Sequence, residues 1–183
     1  MRIFYDTEFI EDGTTIDLIS IGMVAEDGRE LYAVSSEFDV AKLHANPWLV
    51  ENVWPSLPQV QHGPGVRCKC PYGHLDLDDP AVRPRAQIAR LVADFIRATP
   101  DPQLWAYYAA YDHVAYAQLF GRMIDLPDGL PMHTGDLVQE AQRLGLTPAD
   151  LPEQPDGLHN ALADARHNLV RTRFLDEIAD REV

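Results

Sequence analysis

The sequence predicts an α/β fold: a central mixed β-sheet, made of an antiparallel meander extended by parallel strands, flanked by α-helices. Three observations carry this. Short, apolar, strand-like segments come first and are joined by a tight-turn signal. Strand-like and helix-like segments then alternate to the end of the chain. A length of 183 residues with 46% hydrophobic residues suits one domain over residues 1–183 and excludes a disordered chain.

The elements follow in order. Residues 1–9 are short, apolar and aromatic, and read as a strand. Residues 17–25 (DLISIGMVA) read as a second strand, followed by the turn signal Glu26-Asp27-Gly28. Residues 29–35 (RELYAVS) alternate and give a third. Asp39 is placed to cap a short helix over residues 41–45, which Pro47 ends. Residues 55–84 carry Pro55, Pro58, Pro64, Pro71 and Pro80 before Pro84, and read as a long, irregular, loop-rich insertion. Residues 84–99 form a helix with Ile88, Leu91, Val92, Phe95 and Ile96 on one stripe. Residues 103–109 read as a buried strand, and 112–122 as a helix turning Val114, Leu119 and Phe120 partly inward. Residues 132–144 are a short extended piece running into a helix capped by Asp136. Residues 159–178 form the last helix, with Val170, Phe174 and Ile178 spaced by four.

Charge and composition narrow the function classes. With 15 Lys+Arg against 29 Asp+Glu, the formal charge is −14, which repels a phosphate backbone and weighs against broad, salt-driven binding to a duplex. No apolar run reaches the roughly 20 residues of a bilayer span, and no basic-plus-apolar leader opens the chain. Two cysteines make no disulfide scaffold, so a reduced, cytoplasmic protein is expected.

Five residues carry the chemistry. Asp6 and Glu8 sit two apart on the first strand and therefore face the same side. Neighbouring carboxylates resist joint ionisation, and a hard divalent cation with oxygen ligands holds both charged. Asp112 follows the strand at 103–109, where a strand end offers a side chain to a cleft or Asp caps a helix. His159 and Asp164 are five residues apart, about 140° around a regular helix, so they converge only if His159 lies on the loop before the helix and Asp164 in its second turn.

Together these residues resemble the DEDDh branch of the 3'-5' exonucleases, which have a ribonuclease H-like fold. The matching segments are FYDTEF (residues 4–9), AAYDHVAYAQL (109–119) and HNALADA (159–165). The FYDTEFIEDG opening and the AYYAAYDHVA segment are most similar to the small actinobacterial polyadenylate-specific exoribonucleases of the RNase AS type. The chain departs from many group members in Phe9-Ile10 after the first ligand pair and in Tyr108 and Tyr111 around the second motif.

The resemblance implies two Mg²⁺ or Mn²⁺ ions held by Asp6, Glu8, Asp112 and Asp164. Asp6 would bridge them, Glu8 and Asp164 would complete one site, and Asp112 the other. His159 is the implied general base, a side chain that exchanges protons near neutral pH. The implied substrate is the 3' end of single-stranded RNA, adenylate-rich tails above all, released as nucleoside 5'-monophosphates. A homodimer is implied as well. A proofreading-type DNA exonuclease and a catalytically silent nucleic-acid-binding module on the same fold are the competing readings.

Phe9, Ile10 and Glu11 follow the first ligand pair and are the expected substrate contacts. Phe9 would stack on a base, Ile10 would wedge beside it and Glu11 would meet a ribose hydroxyl. Tyr111 and Trp105 are expected in the core and His113 in a structural role; Arg122, Arg166 and Arg171 are expected on solvated faces, with contact to substrate phosphates as the alternative for each. Cys68, Cys70, His62 and His74 form a weak zinc pattern, because one residue between the cysteines is tight for a structural site.

Overall fold

In the computed structural model, residues 1–60 and 71–181 are described. The insertion residues His62, Cys68 and Cys70 lie outside them. A six-stranded mixed sheet has the order β4-β3-β2-β1-β5-β6, flanked by helices on both faces, the arrangement expected of a ribonuclease H-like fold.

The meander is β1 (Arg2–Glu11), β2 (Ile16–Ala25) and β3 (Glu30–Ser35), all antiparallel. Gly28, at φ 88°, takes the left-handed position of the predicted turn. β4 (Val82–Arg83) joins β3 in parallel. β5 (Gln103–Ala106) and β6 (Thr134–Asp136) extend the other edge in parallel.

Asp39 caps α1 (Val40–Ala45) as expected, by accepting from the Lys42 N–H. Pro47 does not simply stop that helix. It begins a second one, α2 (Pro47–Asn52), with Asn46 as its cap. Pro fits the first helical position because its missing N–H has no intrahelical partner there.

One sheet face packs on α3 (Arg85–Arg97) and α4 (Ala110–Gln118). Ile3 and Tyr5 of β1 and Ile21 and Met23 of β2 meet Ile88, Val92 and Ile96 of α3 and Tyr116 of α4 in the largest core cluster. Leu91 and Val114 fall outside the buried stripes and are exposed. A second cluster joins Ile19 and Val34 to α1, α2 and Trp54. A third sits between α5 (Leu137–Arg143) and α6 (Ala161–Ala179).

α6 crosses the opposite face of β1 and β2. Its buried side is Ala161, Ala165, Asn168, Thr172 and Leu175, whereas Val170 is exposed and Phe174 and Ile178 pack at the margin. The apolar repeat therefore marks the wrong face, because close approach to the sheet selects small side chains. Gly22 shows how close that approach is: a Cβ there would lie 2.3 Å from the backbone of Ala161 and Leu162. Gly22 pairs with Asp6 across the β1–β2 ladder, so this contact sets the start of α6 beside the first ligand strand. Gly22→Ala should cost about 2–3 kcal/mol, read by chemical denaturation, and should lower activity by displacing the first turn of α6.

Candidate active site

β5 pairs with β1 only over Arg2–Phe4 and ends at Ala106. Beyond it the edge of β1 opens into a cavity of about 500 Å³. The strand stops three residues short of the expected end because Tyr108 adopts φ 56° and α4 begins at Ala110. Asp136 fixes this corner: its Oδ1 caps α5 at Val138 and its Oδ2 accepts from the Ala109 N–H at 3.0 Å.

Asp6 and Glu8 face the cavity from β1, as their spacing requires. Asp164 comes from the first turn of α6, one turn earlier than expected. One carboxylate oxygen each of Asp6, Glu8 and Asp164 lies within 4.8 Å of the others. Asp112 joins them from the first turn of α4, buried at the back of the cavity, and it does not cap that helix. Its Oδ1 accepts from the Thr7 N–H at 2.8 Å and the Thr7 hydroxyl at 2.6 Å. Both donors fall on one oxygen, so Oδ2 remains for another ligand.

His159 precedes α6 on a loop, with φ 62°, and lines the same cavity. Left-handed backbone in a non-glycine residue costs on the order of 1–3 kcal/mol and persists only where its surroundings enforce it. Here the Ser56 hydroxyl lies 2.7 Å from the His159 carbonyl, and Trp48 of α2 meets the imidazole edge-on with centroids 4.8 Å apart. Gln154 braces the same loop, with Nε2 donating to Asp164 Oδ1 at 2.6 Å and to the Asp156 carbonyl at 3.1 Å.

The electrostatics follow from crowding. Burial first, then the charges of Asp112, Glu8 and Asp164, push Asp6 well above the usual carboxylate range. Burial and the charges of Asp164 and Asp112 push Glu8 up to about 8. Burial raises Asp112 to about 6 against the opposing Thr7 hydrogen bonds. Burial also raises Asp164, while Gln154 and His159 pull it down. An all-oxygen set of mutually repelling carboxylates fits a hard divalent cation, which removes the repulsion it is built from.

The expected substrate contacts divide. Phe9 lines the cavity and stacks on Tyr111 with centroids 5.8 Å apart. Ile10, 5% exposed, is buried in the second core cluster and lies outside the cavity lining. Glu11 is exposed and accepts from the Gly13 N–H at 2.6 Å, outside the cavity lining. Period-two alternation explains Ile10: it continues the face of Asp6 and Glu8, but past the cavity and under α1 and α2.

Tyr111 is 52% exposed on the cavity wall rather than in the core. Trp105 packs against the third cluster. His113 bonds Thr134 Oγ1 through Nδ1 at 3.0 Å, in a structural role. Arg122 pairs with Asp125 and Arg166 with Glu30 on the surface. Arg171 instead lines the cavity. Trp48, Tyr107 and Gln154 were not singled out from the sequence, and Tyr108 stood out there only as a departure within the second motif. Asn46-Pro47, a cap followed by a helix-starting proline, was the signal for α2 and hence for Trp48.

No protein-family profile matches the chain. Two curated proteins, from two strains of Mycobacterium tuberculosis, are each named a 3'-5' exoribonuclease. Each is 44% identical over 182 residues, covering 98% of this chain and 96% of its own length. Likeness at that level along both whole chains, in a protein whose acidic residues from three separate elements meet in one cavity, means that the chain belongs to this family of 3'-5' exoribonucleases.

Proposed function

We propose that the protein is a divalent-metal-dependent exoribonuclease of the DEDDh type that removes nucleotides from the 3' end of single-stranded RNA, adenylate-rich tails being the favoured substrate. The observation that carries the proposal is the convergence of Asp6, Glu8 and Asp164 oxygens within 4.8 Å, with Asp112 and His159 on the same cavity. The four carboxylates would hold two Mg²⁺ or Mn²⁺ ions. When bound, such ions supply an acidified water and neutralise charge on the departing 3'-oxygen.

The chain's own residues do the rest. His159 takes the proton from the attacking water and is held for that task by Ser56 and Trp48. Thr7 fixes the orientation of Asp112 through two hydrogen bonds. Phe9, Tyr108, Tyr111 and Trp48 give the cavity aromatic faces on which single-stranded bases stack, each worth about 1–3 kcal/mol. That grip does not depend on a basic surface, so it is compatible with a formal charge of −14. The adenylate preference, a homodimer and a cytoplasmic setting rest on the resemblance carried by FYDTEFIEDG and AYYAAYDHVA. Among the described residues, no helix is long and apolar enough to cross a membrane.

The test is hydrolysis of labelled RNA and DNA of equal sequence with Mg²⁺ or Mn²⁺. RNA should shorten from its 3' end to 5'-monophosphates, fastest through an adenylate tail. Faster loss of DNA, or nucleotides released from the 5' end, would contradict the proposal.

A further inference from the structure

Arg171 makes no contact ion pair among the described residues, although Asp6 and Asp164 act on it electrostatically from across the cavity. Its guanidinium carbon stands 4.0 Å from the Tyr107 ring centroid, and Nη1 donates to Asn168 Oδ1 at 3.0 Å. Nε is buried with no acceptor, and among the described residues no carboxylate forms an ion pair with this side chain. Burial lowers its pKa, against the charges of Tyr107, Asp164 and Asp6. An arginine kept partly from water without an ion-pair partner is costly, and an anion reaching it from the cavity that it lines offsets that cost.

Its position says which ligand. Arg171 lines the catalytic cavity and also a second cavity of about 360 Å³ beside it. The two share Tyr107, Gln154, Leu158 and Arg171, so they adjoin across these side chains. Beyond the shared residues, the second cavity is walled by Pro148, Leu151 and Pro152, apolar surfaces against which a base can pack, and by Glu153, which leaves Arg171 as the cation lining it. A strand whose terminal nucleotide occupies the catalytic cavity would place its next nucleotide there, with the scissile phosphate between the two and the following phosphate within the second cavity. Guanidinium geometry matches phosphate oxygens, and stacking on Tyr107 orients the plane in advance.

We propose that the second cavity holds the nucleotide upstream of the one being removed, and that Arg171 anchors the backbone phosphate on the 5' side of that upstream nucleotide, one phosphate beyond the scissile one. This rests on the exoribonuclease reading, and it makes the site prefer a chain over an isolated nucleotide ester.

Arg171→Met keeps much of the apolar stem and removes the charge, and Arg171→Lys restores the charge without the planar fork. Hydrolysis is compared on an RNA oligomer and on a nucleoside 5'-monophosphate p-nitrophenyl ester, which carries the scissile phosphate alone. Arg171→Met should lose at least about tenfold more kcat/KM on the oligomer than on the ester, mainly through KM. The log–log salt slope of oligomer binding should fall by about 0.7, one phosphate contact on a single strand. Arg171→Lys should recover most of the slope but only part of the affinity. Equal losses on both substrates, or an unchanged salt slope, would overturn the anchor. Wild-type protein inert on both substrates would refute the exoribonuclease reading itself, a result separable from failure of the anchor alone.

Discussion

Asp6→Asn should abolish RNA hydrolysis, by at least about a thousandfold, and yet raise the melting temperature of the metal-free protein. The two effects have one cause. Asp6 faces Glu8 and Asp164 within 4.8 Å, and Asp112 adds a fourth carboxylate to the cavity. Burial together with these neighbouring charges disfavours its ionised form. An uncharged isostere removes that repulsion but also removes a charged oxygen from the only such cluster among the described residues. A purely structural Asp6 would behave oppositely, losing stability along with activity. Kinetics with labelled RNA and melting in chelator separate the two.

The chelated protein should also lose stability as pH rises from 5 to 8. The sign follows from the raised carboxylates. Glu8 titrates near 8 in the fold against an ordinary 4.5, and Asp112 near 6 against 3.8. Between the ordinary and the raised values the folded chain holds protons that the unfolded chain has released. Unfolding therefore releases protons, and stability falls across that window.

Carboxylates held low by partners, such as Glu30 beside Arg166, lose their contribution only as pH falls below about 4.5, outside this window. His44 and His113, lowered by burial, act in the opposite direction near pH 6.5, and they do so with or without metal. The informative quantity is thus the difference between chelated and Mg²⁺-loaded protein. Chelation should lower the melting temperature by roughly 5–10 °C at pH 8 and much less at pH 5. A difference independent of pH would mean that the acidic cluster is not where the ion acts.

Period-two alternation was enough to put Asp6 and Glu8 together, and the loop before α6 was enough to bring His159 toward Asp164. Asp112 is different. It was legible from the order of motifs, while the reason it reaches β1, a free strand edge whose Thr7 N–H needs an acceptor, exists only in three dimensions. The sheet and its meander followed from local patterning.

The errors share a physical origin in context beyond the local segment. Ile10 has the right parity for the site but lies past the cavity, under α1 and α2. Tyr111 reads as core by type, yet the early end of β5 leaves it on an open wall. In the last helix the repeat of Val170, Phe174 and Ile178 does not mark the side against the sheet, where Gly22 and the closeness of the strands demand alanine, asparagine and threonine. Arg171, at a helix position that in sequence suits a solvated face as well as a phosphate contact, is set apart from Arg122 and Arg166 by lining both cavities while those two pair with surface carboxylates.

The central claim is that the four carboxylates form a metal centre for hydrolysis. Calorimetric titration of chelator-treated protein with Mn²⁺, in the presence of a nucleoside 5'-monophosphate, tests it most directly. Two ions should bind per chain in the wild type and fewer in Asp6→Asn, with RNA hydrolysis returning in step with occupancy. No saturable binding, or RNA hydrolysis that persists undiminished in chelator, would contradict it.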